Sequence, residues 1–332
     1  MSNFLNPKIT NNYENKIRHV GFEIEFSNID LDEILNILKN DFQFKEKKIN
    51  NFFYKLESKY GDFILELDFE LLTKQKIKKG AKKLSQTIGI DIKANDIEAI
   101  EKTIGDLSKD IVPYEISTPP LPLDKISLVD ELTNKLAINE AKGTKHKLYY
   151  AFGLHINIEV VSLEVQSLLN YTKAYLILQD FINKDAKIDI ARKISPFIDN
   201  FKTDYIKHIL DDSYKPTIQE FIDDYLKFNP TRNRSLDLLP ILTFIDEKKV
   251  RNKLPNEKIK PRPAFHYRLS NSMVGSSNWQ ISEEWNRWIL VENLANDIEN
   301  LELLSKEYLT HLDNLINLTS WEERVEKWIQ NH

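Results

Sequence analysis

The chain has no cysteine, few glycines and no long apolar run, and each absence excludes a class of protein. Its 332 residues contain 8 glycines and no cysteine. Without cysteine there is no disulfide framework, no thiolate nucleophile and no cysteine-ligated zinc or iron–sulfur site. The glycines are too scattered to form a G-x-G-x-x-G or G-x-x-x-x-G-K loop. If the protein binds nucleotide phosphates, it must hold them by other means.

Charge and hydropathy point away from nucleic acids and membranes as partners. The 46 basic and 51 acidic side chains give a net charge of −5, which favours neither nucleic acid nor an anionic membrane surface. No stretch approaches the roughly 18 uninterrupted apolar residues of a membrane span. The N-terminal sequence lacks the apolar core of a signal peptide. We therefore expect a cytoplasmic protein that binds neither nucleic acid nor membrane.

Hydrophobic periodicity indicates a strand-rich first half. Between Val20 and Ile158, several short stretches alternate apolar and polar residues, which is the pattern of half-buried strands. Within this part, an apolar stripe at i, i+3, i+4 and i+7 predicts a helix from Asp30 to Asn40. Residues 71–110 are rich in lysine and are expected to form a helical insertion between two strands.

The second half, residues 162–332, is expected to be mainly helical. Ser162 is a plausible N-cap for a helix that ends near Asn183. The segment 279–329 predicts two or more amphipathic helices. No low-complexity linker divides the chain, so we expect one α+β domain over residues 1–332.

Charged, imidazole and amide side chains fall on one side of the alternating segments. Each segment alone is explained by the solvated face of a one-sided antiparallel sheet. Together these positions contain no lysine, which a solvated face normally carries, so we favour a functional site. The helices of the second half would cover the opposite, apolar face. The polar positions are Glu23, Glu25, Glu66, Asp68, Glu70, Glu115, His155, Asn157, Glu159, His266 and Arg268.

Clustered carboxylates predict a metal site. They repel one another, so a cluster of them needs cations. Oxygen ligands with an occasional imidazole and no sulfur suit Mg²⁺ or Mn²⁺ better than zinc. Glu23 and Glu25 share one strand face, with Cα atoms roughly 6.5 Å apart. Such a pair can hold two ions on the order of 4 Å apart, the spacing used in two-metal catalysis.

Arginines in the second half complement the acidic positions. Arg232 and Arg234 lie in a proline-bounded turn, where surface salt bridges explain them as well as ligand binding does. They are followed by Asp237 at a predicted helix start. Arg262 and Arg268 follow in the segment KPRPAFHYRL. Arg268 alternates onto the polar face, so for this residue we favour binding of phosphate or carboxylate oxygens.

With these residues in order, the sequence resembles the amidoligase family, within the superfamily of glutamine synthetase and glutamate–cysteine ligase. The resemblance runs from about Val20 to Leu312. The segments that carry it are GFEIEF (21–26), the Asp68 strand, PYEISTPPL (113–121), YAFGLHINIE (150–159), NPTRNRSLDLLP (229–240), RPAFHYRLSN (262–271) and EWNRWILVENLA (284–295).

The resemblance implies a curved antiparallel sheet backed by helices, with ATP and Mg²⁺ (or Mn²⁺) on the concave face. Members are expected to transfer the γ-phosphoryl group of ATP to a substrate carboxylate. An amine then attacks the acyl phosphate and forms an amide or peptide-like bond. The expected partners are therefore a small-molecule or peptide carboxylate and an amine.

The resemblance also implies roles for individual residues. Many relatives have Glu-x-Arg on the late strand, where this chain has His266, so either an acid such as Glu284 substitutes or fewer ions bind. The expected metal ligands are Glu23, Glu25, Glu115, His155 and His266. The expected catalytic residues are Asp68 and Arg268, and the expected nucleotide-binding residues are His155, Arg232, Arg234 and Arg268.

Three other functions are compatible with the same residues. The polar face could serve a metal-dependent phosphotransferase or phosphohydrolase that has no amine acceptor. The chain could also be a catalytically weakened member that binds a nucleotide or peptide, with His266 as the sign of the change. A structural protein with a merely solvated acidic face is the third alternative.

Overall fold

The computed structural model shows an antiparallel sheet with helices packed against it. It describes residues 4–67, 114–139, 141, 152–186, 199–276, 279–314 and 320–331. Within these ranges the chain forms nine strands and ten α-helices, which confirms the predicted combination of helices with an antiparallel sheet. Asp68, Glu70 and the predicted insertion at 71–110 lie outside the described residues. The single domain over residues 1–332 stays a prediction.

The sheet places the first strand between strands that come much later in the sequence. Its strands are β1 His19–Phe26, β2 Lys45–Asn50, β3 Phe53–Ser58, β4 Gly61–Leu67, β5 Tyr114–Ser117, β6 Leu121–Pro122, β7 Leu154–Glu159, β8 Leu236–Asp237 and β9 Ala264–Tyr267. The order is β2-β3-β4-β5-β1-β7-β9-β8, and β6 pairs with β1. The described strand pairs are antiparallel. The five segments that supply the predicted polar face correspond to β1, β4, β5, β7 and β9.

Of the ten helices in the described ranges, seven lie between strands in the sequence and three follow the last strand. The helices are α1 Leu31–Asn40, α2 Leu128–Ile138, α3 Val165–Asp185, α4 Thr203–Leu210, α5 Ile218–Phe228, α6 Leu239–Ile245, α7 Glu247–Lys253, α8 Ile281–Ala295, α9 Ile298–Asp313 and α10 Trp321–Asn331. The structure confirms α1 with Asp30 at its N-cap. Three helices, α8 to α10, occupy the segment predicted to hold two or more.

The predicted N-cap of α3 is wrong. Glu164 occupies the N-cap position, and the helix begins at Val165. The hydroxyl of Ser162 instead accepts a hydrogen bond of 3.1 Å from the backbone N–H of Glu164. Serine satisfies nearby N–H groups in turns as well as at helix starts. Ser162 therefore marks the turn that precedes the helix and not the N-cap of the helix.

Helices cover the apolar side of the sheet. Tyr171 of α3 stacks on Phe265 of β9 with ring centroids 5.3 Å apart. Trp288 of α8 packs against both Phe265 and Tyr267, at 5.6 and 5.7 Å. The apolar residues of β1, such as Phe22, are fully buried in the same core. This packing leaves the opposite face of the strands to the polar side chains.

A buried ion pair joins the start of β1 to α8. The guanidinium of Arg18 donates to both carboxylate oxygens of Glu292, at 2.9 and 2.6 Å. It also donates to the backbone carbonyls of Ile9 and Glu159. Trp288 donates its indole N–H to Glu292 at 2.8 Å. These bonds fix the central strand against the helix that covers it.

No helix in the described ranges is long and apolar enough to cross a bilayer.

Candidate metal and phosphate site

Strand register brings polar side chains from six strands into one row. Residues directly opposite each other in an antiparallel pair share a face of the sheet. The observed partners are Glu66 with Glu115, Glu115 with Glu25, Glu23 with His155, Asn157 with His266, and His266 with Asp237. We call these eight residues the polar row. It runs from β4 across β5, β1, β7 and β9 to β8, as the alternation in the sequence predicts for the first five of these strands.

Three members of the polar row form a candidate metal-ligand cluster. Glu23, His155 and His266, here called the triad, can each offer one ligand atom, and these atoms lie within 4.8 Å of one another. The Nδ1 atom of His155 is 2.8 Å from Oε2 of Glu23. The Nε2 atom of His266 is 3.7 Å from the same oxygen. The triad unites three of the five predicted metal ligands.

Burial and close contact set the protonation states in the triad. Burial lowers the pKa of His155 to about 3. The positive charge of Arg268 also lowers this pKa, whereas the hydrogen bond with Glu23 and the charge of Glu23 raise it. Burial by itself would raise the pKa of Glu23. The hydrogen bond with His155 and the nearby His266 ring outweigh it and hold that pKa well below its usual range. At neutral pH a neutral imidazole therefore faces an ionised carboxylate, and these are the forms that bind metal ions.

The second acid beside His266 is Asp237. Its Oδ2 atom is 3.5 Å from Nδ1 of His266. Its other oxygen accepts a hydrogen bond of 2.9 Å from the backbone N–H of Leu239, the first residue of α6. A helix does begin two residues after Asp237, but Leu238 is its N-cap and Asp237 itself ends β8. The contact of Asp237 with His266 was not predicted. It depends on β8, a strand of 2 residues that is too short to show an alternating pattern.

The triad fits a divalent metal ion. Both ring nitrogens of His266 are buried, and neither has a hydrogen-bond partner within the described chain. Their distances of 3.5 and 3.7 Å to carboxylate oxygens are too long for hydrogen bonds. A buried polar atom left without a partner costs about 1–3 kcal/mol. A cation between His266 and Glu23 would satisfy the ring nitrogen that faces it.

The other two predicted metal ligands lie next along the polar row. The backbone N–H of Gly153 donates to Oε2 of Glu25 at 2.5 Å. Ser117 donates its hydroxyl to Glu115 at 2.8 Å. Together with Glu66, these residues offer only oxygen ligands. In the described ranges, the triad is the only group of three or more such residues whose ligand atoms all lie within 4.8 Å of one another.

Positive charge borders the triad. Arg262 lies 3.8 Å from Oε1 of Glu23, an oxygen that also accepts a hydrogen bond of 2.9 Å from Asn157. Burial lowers the pKa of Arg262, although Glu23 and Asp237 oppose the change. Arg268 donates from Nη1 to the backbone carbonyl of Arg232 at 2.6 Å. The sequence analysis named both arginines, although only Arg268 falls on the alternating positions.

Two residues expected near the ligands make other contacts. The guanidinium of Arg234 donates to the side chain of Asn229 and to the backbone carbonyl of Asn200, both at 2.9 Å. These bonds stabilise the turn in which it lies. Glu284, suggested as a substitute for the missing late-strand acid, pairs with Arg287 at 2.8 Å. Burial raises the pKa of Glu284 despite that partner. The acids that face His266 are Glu23 and Asp237.

Comparison with known families gives an independent result. A comparison with curated proteins finds no match. A family model described as "Putative amidoligase enzyme" matches residues 16–290. This range contains β1, β7, β8 and β9, and with them the triad, Asp237 and both bordering arginines. The chain therefore belongs to the amidoligase family.

Proposed function

We propose that the protein is a carboxylate–amine ligase that uses ATP and divalent metal ions to form an amide or peptide-like bond. Membership of the amidoligase family supports an amide-forming ligase. We infer the dependence on ATP from the position of Arg262 and Arg268 beside the triad. Guanidinium groups and a metal ion repel one another unless an anion lies between them. Phosphate oxygens bind both.

The proposed reaction has two steps. A carboxylate oxygen of one substrate attacks the γ-phosphorus of ATP, and ADP leaves. The nitrogen of an amine then attacks the carbonyl carbon of the acyl phosphate and loses a proton. Inorganic phosphate departs as the amide bond forms. The substrates we propose are a small-molecule or peptide carboxylate and an amine.

The residues of the site contribute mainly by fixing charge. A divalent ion bound by the triad would neutralise charge on phosphate oxygens. Arg268 is anchored by the carbonyl of Arg232, so its positive charge is already in place before phosphoryl transfer begins. Asn157 holds the Glu23 carboxylate from the opposite side to His155. Because phosphoryl transfer needs little covalent chemistry from the protein, this positioning would account for most of the rate.

The proposal includes the fold type of the superfamily. An antiparallel sheet with helices on its apolar face and acids on the other is consistent with the curved sheet of glutamine synthetase and glutamate–cysteine ligase. In that arrangement the polar row would line the concave face. Ions held by strand carboxylates would then hold the phosphates, so the chain needs no glycine-rich loop.

Amine-dependent release of ADP tests the proposed function. The purified protein would be screened with ATP, Mg²⁺ or Mn²⁺, and panels of carboxylates and amines, with mass spectrometry of the products. We expect ADP to appear only when both substrates are present, together with one amide per ADP. ADP release without an amine and without an amide product would instead identify a phosphohydrolase.

The variant Glu23→Gln tests whether the triad is needed for the ligase reaction. The change keeps the shape of the side chain but removes its charge, so we expect a loss of ligase rate on the order of 100-fold. His208→Gln serves as the control, because His208 of α4 pairs with Asp224 of α5 and belongs to no strand of the polar row. If Glu23→Gln kept the full ligase rate, the triad would have no part in catalysis.

A further inference from the structure

The triad differs from an ordinary magnesium site in the kind of atom it offers. Two of its three ligand groups are imidazole rings, and only Glu23 supplies oxygen. Mg²⁺ takes oxygen ligands and gives up its bound water reluctantly. Imidazole binds the divalent transition ions more strongly, with an affinity that rises from Mn²⁺ through Co²⁺ to Cu²⁺ and is lower again for Zn²⁺. The donor atoms of the triad therefore favour a transition ion.

The position of His266 between two acids strengthens this argument. Its Nδ1 faces Asp237 at 3.5 Å and its Nε2 faces Glu23 at 3.7 Å. Neither ring nitrogen has a hydrogen-bond partner in the described residues, although each faces a carboxylate oxygen. An ion beside Nε2 would give that nitrogen a partner and would also attract the carboxylate of Glu23.

Asp237 determines which ring nitrogen of His266 is left to bind the ion. Its side chain is fully buried, and one of its oxygens is held by the N–H of Leu239. The remaining oxygen faces Nδ1 of His266 at 3.5 Å. When Nε2 binds an ion on the side of Glu23, the proton of the ring lies on Nδ1 and points towards this oxygen. A carboxylate behind a histidine is a common means of fixing the orientation of a metal ligand.

We propose that the triad binds a divalent transition ion, such as Mn²⁺ or Zn²⁺, in preference to Mg²⁺, and that Asp237 positions His266 as one of its ligands. The proposal rests on the proposed function for the nucleotide that shares the site. The metal preference itself is a property of the protein without substrate. Mg²⁺ would remain the ion that accompanies the phosphates of ATP.

Metal binding by the full-length protein without nucleotide is the direct test. Mn²⁺ would be titrated into metal-free protein by calorimetry, and Mg²⁺ would then be added as a competitor. We expect half-displacement of Mn²⁺ to require about a tenfold or greater excess of Mg²⁺. Pulsed electron paramagnetic resonance of bound Mn²⁺ should detect coupling to the nitrogens of two imidazole rings. This spectrum needs no variant and so does not depend on mutant folding.

Two variants separate the ligand from its positioning residue. His266→Glu replaces nitrogen by oxygen, so it should remove one nitrogen coupling and shift the preference towards Mg²⁺. Asp237→Asn removes the charge behind the ring and should weaken Mn²⁺ binding by about 10–100-fold, with an altered nitrogen coupling from His266. Asp224→Asn is the control, since Asp224 pairs with a histidine outside the polar row, His208, at 3.0 Å. It should leave Mn²⁺ binding unchanged.

Three results would overturn the proposal. They are Mn²⁺ bound without nitrogen coupling, displacement by an equal concentration of Mg²⁺, or a doubly protonated His266 ring that pairs with both acids and excludes the ion. Failure of the ligase proposal would look different. In that case Mn²⁺ would bind through two nitrogens, but no amide would form in the substrate screen.

Discussion

Replacement of His155 by glutamine should make the metal-free protein less sensitive to acid. Burial lowers the pKa of His155 from 6.5 to about 3, so the folded protein keeps this ring neutral throughout mildly acidic conditions. The unfolded chain protonates the same ring below about pH 6.5. The unfolded state therefore binds more protons in this range. As a result, the free energy of unfolding falls as the pH falls.

The size of the effect follows from the same pKa values. Each pH unit between the two is worth about 1.4 kcal/mol. From pH 6.5 to pH 5, His155 should thus remove about 2 kcal/mol from the free energy of unfolding. The residue His155 is 9% exposed, so solvent screening reduces this figure little. Glu23, whose pKa is lowered from 4.5, acts in the same direction but only at more acid pH.

Urea unfolding at pH 7, 6 and 5 in the presence of a chelator measures this dependence. The wild-type protein should lose stability with falling pH faster than His155→Gln, and the difference between pH 6.5 and pH 5 should be about 2 kcal/mol. Only the slopes are compared, because the variant also loses the hydrogen bond to Glu23 at every pH. Parallel curves would refute the reasoning, since they would mean that the folded protein protonates His155 as readily as the unfolded chain.

Two further predictions concern stability. Glu292→Gln leaves Arg18 buried beside a neutral amide, so the free energy of unfolding should fall by roughly 3–5 kcal/mol. Glu307→Gln, in the partly exposed pair with Arg324, should cost at most about 1 kcal/mol, and equal losses in urea unfolding would contradict the role of burial. Thr217→Ala removes the capping box of α5 and should cost about 1 kcal/mol, whereas Thr217→Ser should restore most of it. An unchanged urea midpoint in Thr217→Ala would contradict that prediction.

Local patterns in the sequence determined which side chains share a face. In a strand, successive side chains point to opposite sides, so the sequence of β1 alone places Glu23 and Glu25 together and opposite Phe22. The same rule identified the strands that carry His155 and His266. The absence of cysteine and of glycine-rich loops restricted the chemistry to oxygen and imidazole ligands. These features depend on residue type and spacing, and both can be read directly from the chain.

The tertiary structure decided which of these side chains meet. Strand pairing places β1 between β5 and β7, so Glu23 lies opposite His155 while Glu25 lies opposite Glu115. Asp237 reaches His266 through a strand too short to carry a periodic signal. Partners of this kind come from distant parts of the sequence, and their choice depends on how the whole core packs. The local pattern therefore supplied the ligands, and the pairing of strands selected Glu23, His155 and His266 as the group that can share one ion.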